Sequence, residues 1–166
     1  MQDNEALLGR LVAADVQFVV IGGVAANAHG SMTASLYLDI AAPLTIANCE
    51  RLPRALAGLT PRFAHRVPPL ALAHTAEELA TFRNVYLLTD LGQLDVLGTV
   101  PAIGDFAAVA QAALTIVAWQ LPLKIMSLDQ LIAVKQATGR PKDQWVALEL
   151  AAIRDKIGPK PQTSGG

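Results

Sequence analysis

A short, almost entirely apolar run, Gln17-Phe-Val-Val-Ile21, stops abruptly at Gly22-Gly23, and few folds accommodate that combination. Five residues are too few for a buried helix, and a continuous rather than alternating apolar pattern suits a strand in the middle of a covered sheet. The glycine pair followed by Val24-Ala-Ala-Asn-Ala28 reads as a strand-to-helix turn, with His29-Gly30 ending the short helix. Upstream, Leu7, Leu8, Leu11 and Val12 recur at helical spacing and predict a helix over Glu5 to Ala14.

The rest of the chain continues to interleave the two periods. Leu36 to Ile40 reads as a strand, and Thr45 to Leu59 as a helix with Pro53 near its first turns or at a kink. Thr60 to His74 carries several prolines and no clean period, so it reads as a long connection. Thr75 and Glu78 have capping-box spacing, and Asn84 to Thr89 and Gln93 to Leu97 form a predicted hairpin around Asp90-Leu-Gly92. Asp105 caps the next predicted helix, two short strands follow at Leu114 to Trp119 and Leu121 to Ile125, and Ser127 and Gln130 repeat the box spacing. A helix then runs to about Lys135 and stops by Gly139, and Pro141 opens the last one. The expected class is therefore α/β or α+β, a mixed sheet flanked by helices.

With 166 residues, 52% of them apolar and 16% charged, the chain is expected to form one domain over residues 1–157. The Pro-, Gly- and Ser-rich stretch 158–166 is expected to be a flexible tail. A net charge of −1 provides no uniform basic field, so bulk nucleic-acid binding is not expected. The acidic start and the lack of a long unbroken apolar run predict neither a secretory signal nor a membrane span. The lone Cys49 lies in a helical pattern without a neighbouring His, which favours packing over nucleophilic chemistry and a reducing, cytoplasmic setting. Trp119 and Trp145 are read as core residues, and His65 and His74 as surface residues.

Two carboxylates interrupt this apolar patterning. Asp39 in Leu38-Asp-Ile40 and Asp95 in Leu94-Asp-Val96 both sit inside strand patterns. An unpaired carboxylate is costly there, so each requires solvent at a strand end, a hydrogen-bond donor, or a metal.

The segment Gly22-Gly23-Val-Ala-Ala-Asn-Ala-His29-Gly30-Ser31, followed by Leu38-Asp39-Ile40, resembles the nucleotidyltransferase-fold superfamily, the polymerase-β-like minimal transferases. It looks most like the bacterial branch found in abortive-infection and toxin–antitoxin systems. That family's pattern is a glycine turn, a short helix, Asp-x-Asp on the next strand and a third carboxylate on a later strand. Gly22-Gly23 matches the turn, Asp39 the second carboxylate and Asp95 the third, while Lys135 to Asp143, with Arg140 and Lys142, resembles the branch's basic Lys…Gly-Arg-x-Lys-Asp element. The resemblance covers about residues 5 to 150.

The resemblance implies magnesium held by Asp39 and Asp95, which would be the catalytic pair. It implies nucleoside-triphosphate phosphates bound by Gly22, Gly23, His29, Ser31, Lys135, Arg140 and Lys142. In such sites a strand's i and i+2 carboxylates and one from a neighbouring strand form an oxygen cage for two ions, which hold the triphosphate for in-line attack. The chain departs from the family where Tyr37 stands in place of the first carboxylate, Thr33 where Arg is usual and Ser35 where Thr is usual. A phenol is neutral at pH 7 and a poor magnesium ligand. The expectation is a degenerate metal site that binds a magnesium-bound nucleotide with weak or no transfer. The alternatives are an active transferase in which Asp90 or a substrate phosphate supplies the missing oxygen, and a protein-interaction module without nucleotide. His29 has a second reading as a helix cap, and Asp143 one as a partner of the last helix's N-terminus.

Overall fold

The structure, a computed structural model, describes residues 1–158; the tail expected at 158–166 lies, beyond its first residue, outside the described residues. In chain order the elements are α1 (Asn4–Ala13), β1 (Val19–Ile21), α2 (Gly22–Ala28), β2 (Leu38–Ala41), α3 (Ile46–Ala55), β3 (Arg62–Phe63), α4 (Ala76–Leu79) and β4 (Asn84–Thr89). They continue as β5 (Gly92–Leu97), β6 (Thr99–Val100), β7 (Gly104–Asp105), α5 (Phe106–Ala112), β8 (Leu114–Ala118), β9 (Leu121–Ile125), α6 (Leu128–Thr138) and α7 (Pro141–Ile157).

Most helices begin where the sequence offers an oxygen to the first orphan amides. Asp3, Thr45, Asp105 and Ser127 each accept from the backbone three residues on, and Thr75 with Glu78 closes a full capping box. Gln130 does not complete the box at Ser127, because its side-chain amide donates instead to the Ala108 carbonyl at 3.0 Å. Gly139 ends α6 with φ +69°, and Pro141 starts α7, where a missing N–H leaves no bond broken. Pro53 lies in the last turn of α3 rather than in its first.

Seven strands form one mixed sheet in the order β3-β4-β5-β2-β1-β9-β8, and β6 with β7 makes a separate small ladder that the sequence pattern did not signal. The β4–β5 hairpin is antiparallel, as its turn residues predict, while β1 is antiparallel to β2 and parallel to β9. β2 runs parallel to β5. All of β1 is buried, as a central strand must be. Among the described residues no helix is long and apolar enough to cross a membrane.

Leu7, Leu8 and Leu11 of α1, Cys49 and Leu52 of α3, and Leu38, Ile40, Val85, Leu87, Leu94 and Val96 of the sheet belong to one buried cluster that extends to Leu150 in α7. The two tryptophans lie outside it. Trp119 is 47% exposed at the tip of the β8–β9 hairpin, where it and Gln120 both adopt positive φ. Trp145 is 73% exposed because Asp143, Val146, Ala147 and Leu150 take the inward face of α7. His74 is half-buried against Phe63 and Phe82, with ring centroids 5.0 and 5.5 Å away.

Leu94 has no exposed surface and lies on the buried side of β5. Leu94→Ala is expected to cost about 2–5 kcal/mol in urea unfolding; a loss below about 1 kcal/mol would contradict the register assigned to β2 and β5.

Candidate functional site

The site begins with the β2–β5 ladder. Leu38 pairs with Leu94, Asp39 with Asp95 and Ile40 with Val96. The apolar members of these pairs are buried while both aspartates are only half-buried. Slipping the register by one residue would exchange those faces, so burial of the leucines holds the two carboxylates side by side on the opposite face. Ile21 pairs with Asp39 and Tyr86 with Asp95, extending the row across four strands.

Burial and the neighbouring Asp95 charge, only partly opposed by Lys135, push the Asp39 carboxyl up to about 7. Burial also raises Asp95, against the pull of a 2.8 Å hydrogen bond donated by the Gln93 side chain and the nearby His65 charge.

Gly22 and Gly23 form the first turn of α2 itself. Gly22 adopts φ +63°, and a Cβ there would collide with the Asp39 carboxylate. A Cβ on Gly23 would meet Ser35 Oγ at 2.8 Å. The glycines therefore let the start of α2 lie directly against Asp39 and the loop that precedes β2.

Facing this end is a cationic wall. Lys135 of α6, Arg140 of the α6–α7 link and Lys142 of α7 line one cleft of about 260 Å³ together with Gly23, Tyr37 and Asp39. Asp143, buried at the start of α7, organises it: Lys135 Nζ donates to its carboxylate at 3.2 Å, Arg140 Nε at 2.9 Å and Thr138 Oγ1 at 2.7 Å. Burial alone would raise the Asp143 carboxyl, but these hydrogen bonds and the two charges outweigh it and hold it below the usual carboxylate range. Among the described residues Lys142 has no carboxylate partner.

The loop between α2 and β2 is clamped from α7. The Glu149 carboxylate accepts from Ser31 Oγ at 2.9 Å, the Met32 amide at 2.7 Å and Thr33 Oγ1 at 3.1 Å, which holds its carboxyl below the usual range. Asn27 adds donations to the Ser31 and Thr33 carbonyls. Tyr37 ends this loop just before β2, 45% exposed, with its carbonyl accepting from Ser35 Oγ at 2.9 Å.

Of the residues singled out in the sequence, Gly22, Gly23, Asp39, Asp95, Lys135, Arg140 and Lys142 come together, whereas His29 and Ser31 do not. His29 ends α2, and its Nε2 donates to the Met126 carbonyl at 2.8 Å, tying that helix to the link between β9 and α6. Ser31 is buried under Glu149. Asp90, a possible source of a further oxygen, lies in the hairpin turn and accepts from Thr60, three strand residues beyond Asp95. Gln93 was detectable in principle, since it lies two residues before Asp95 on the same strand face. Glu149 was not, because its partners lie more than a hundred positions away in sequence.

Among the described residues no three His, Cys, Asp or Glu side chains gather as a metal-ligating set. Magnesium favours six oxygens in a near-ideal octahedron. Two carboxylates without a third leave a pair of such ions one shared ligand short. Compared with known proteins, the chain matches no family model, and no curated protein matches it.

Because the folded chain holds a proton on Asp39 up to about pH 7 while the unfolded chain releases it near 3.8, stability should fall as pH rises between those values and then level off. Asp39→Asn removes that loss, so the variant is expected to gain about 1–3 kcal/mol over the unsubstituted chain above pH 7 and little near pH 4 in parallel urea titrations. Equal effects at both pH values would contradict the environment described for Asp39.

Proposed function

We propose that the chain is a nucleotidyltransferase-like protein whose cleft binds the phosphates of a nucleoside triphosphate and whose metal site is degenerate, so that nucleotidyl transfer is weak or absent. The observation that carries this reading is one cleft lined by Gly23, Asp39, Lys135, Arg140 and Lys142, with Asp95 paired to Asp39 in the sheet and Gly22 packed on Asp39. Carboxylates at one end and cations at the other suit a ligand with a polyanionic chain next to a reacting centre. Lys135 and Arg140 are held in place by Asp143 before any ligand arrives, which reduces the entropy lost on binding.

The weak half of the reading follows from Tyr37. It stands where a third carboxylate would complete the cage, and neither Asp90 nor any other acid takes that place among the described residues. Loss of a ligand shared by two ions removes stabilisation felt mainly in the transition state, so turnover falls further than binding.

The test is calorimetric titration of the four ribonucleoside triphosphates with magnesium, paired with a transfer assay using labelled nucleotide. Binding at micromolar to millimolar strength that weakens about tenfold or more in Lys135→Gln, without measurable label transfer, is expected. Rapid transfer that disappears in Asp39→Asn would overturn the degenerate site, and no binding of any triphosphate would overturn the nucleotide reading.

A further inference from the structure

We infer that this cleft takes the phosphate chain of a nucleoside polyphosphate directly on its own side-chain cations, with no divalent metal between ligand and protein. The inference rests on the nucleotide reading above and goes beyond it by assigning how the phosphates are neutralised.

Three observations support it. The first is the donor set. Asp39 and Asp95 are the two carboxylates of the sheet row, their neighbours in it are Ile21 and Tyr86, and the residue two before Asp39 is Tyr37. Tyr37 lies outside β2, with its backbone carbonyl accepting from Ser35 Oγ. A phenol and two acids leave the oxygen cage for two ions one protein ligand short.

The second is the charge supplied by the chain itself. Lys135, Arg140 and Lys142 line the cleft together with two carboxylates, Asp39 and Asp143. The three cations outnumber these two carboxylates, and Arg140 uses only its Nε on Asp143. The outer nitrogens of a guanidinium are suited to bidentate contact with phosphate oxygens. Lys135 and Asp39 line the same cleft, so the chain itself supplies an ammonium to the site that holds the carboxylate.

The third is size. A cleft of about 260 Å³ is smaller than the roughly 300–1,000 Å³ of pockets that enclose whole ligands. It suits a phosphate chain with the base lying outside, near exposed Leu36 and Tyr37. Recognition then falls on the phosphates, and the four bases should be poorly discriminated.

The experiment is calorimetric titration of the full chain with ATP in excess EDTA and in excess magnesium, with inorganic tripolyphosphate as the base-free competitor. Affinities in the two conditions are expected to agree within about threefold, and tripolyphosphate should displace ATP in EDTA. Combining Arg140→Gln with Lys142→Gln should weaken ATP about tenfold or more in both conditions while the melting temperature stays close to that of the unsubstituted chain. Tyr37→Asp should weaken binding in EDTA and make it magnesium-dependent, since it adds a repelling carboxylate and a ligand at once. ATP bound only with magnesium would overturn this inference and leave the nucleotide reading standing, as would binding in EDTA that ignores Arg140 and Lys142. No binding in either condition would overturn the nucleotide reading itself, and this inference with it.

Discussion

The parallel pairing of β2 with β5 is the constraint on which the rest of the site depends. Leu38, Ile40, Leu94 and Val96 are essentially removed from water on one side of that ladder. At roughly 25 cal/mol per Å² of apolar surface, the burial of several such side chains outweighs the repulsion of two neighbouring carboxylates on the other side. The core thus forces Asp39 and Asp95 together, and the cost appears as a raised proton affinity at Asp39, while burial alone raises Asp95. Gly22 belongs to the same constraint, because a larger residue there would displace Asp39 from the row.

The second organising element is Asp143. Buried at the first turn of α7, it gathers Lys135, Arg140 and Thr138 from α6 and the link between the helices. Glu149, two turns further along α7, clamps the loop that ends at Tyr37. One helix therefore sets both the cationic wall and the loop that ends at Tyr37, by two carboxylates. The cleft that results brings the Asp39 carboxylate and three cations to one place.

Much of this fold was legible in the sequence, and the pattern of misses is physical. Caps at Thr75, Asp105 and Ser127, the glycine at 139 and the proline at 141 act within one helical turn, so local spacing exposes them. The β4–β5 hairpin was legible for the same reason. Trp119 and Trp145 were misread as core residues because hydrophobic type does not reveal which face of a helix, or which hairpin tip, a residue occupies. Of the site, the Asp39–Asp95 pair and the basic segment could be anticipated from residues in apolar strand patterns and from resemblance. That His29 would bind the Met126 carbonyl and Ser31 the Glu149 carboxylate could not, since those contacts join distant parts of the chain.

Asp39 and Asp95 share one partly buried face, and carboxyl-carbon NMR titration of Asp39 measures that most directly. A midpoint of about 7 that drops when Asp95→Asn removes the neighbouring charge is the predicted result. A midpoint near the ordinary 3.8, unchanged by Asp95→Asn, would mean that the two side chains do not share a site, and the cleft would lose its acidic end.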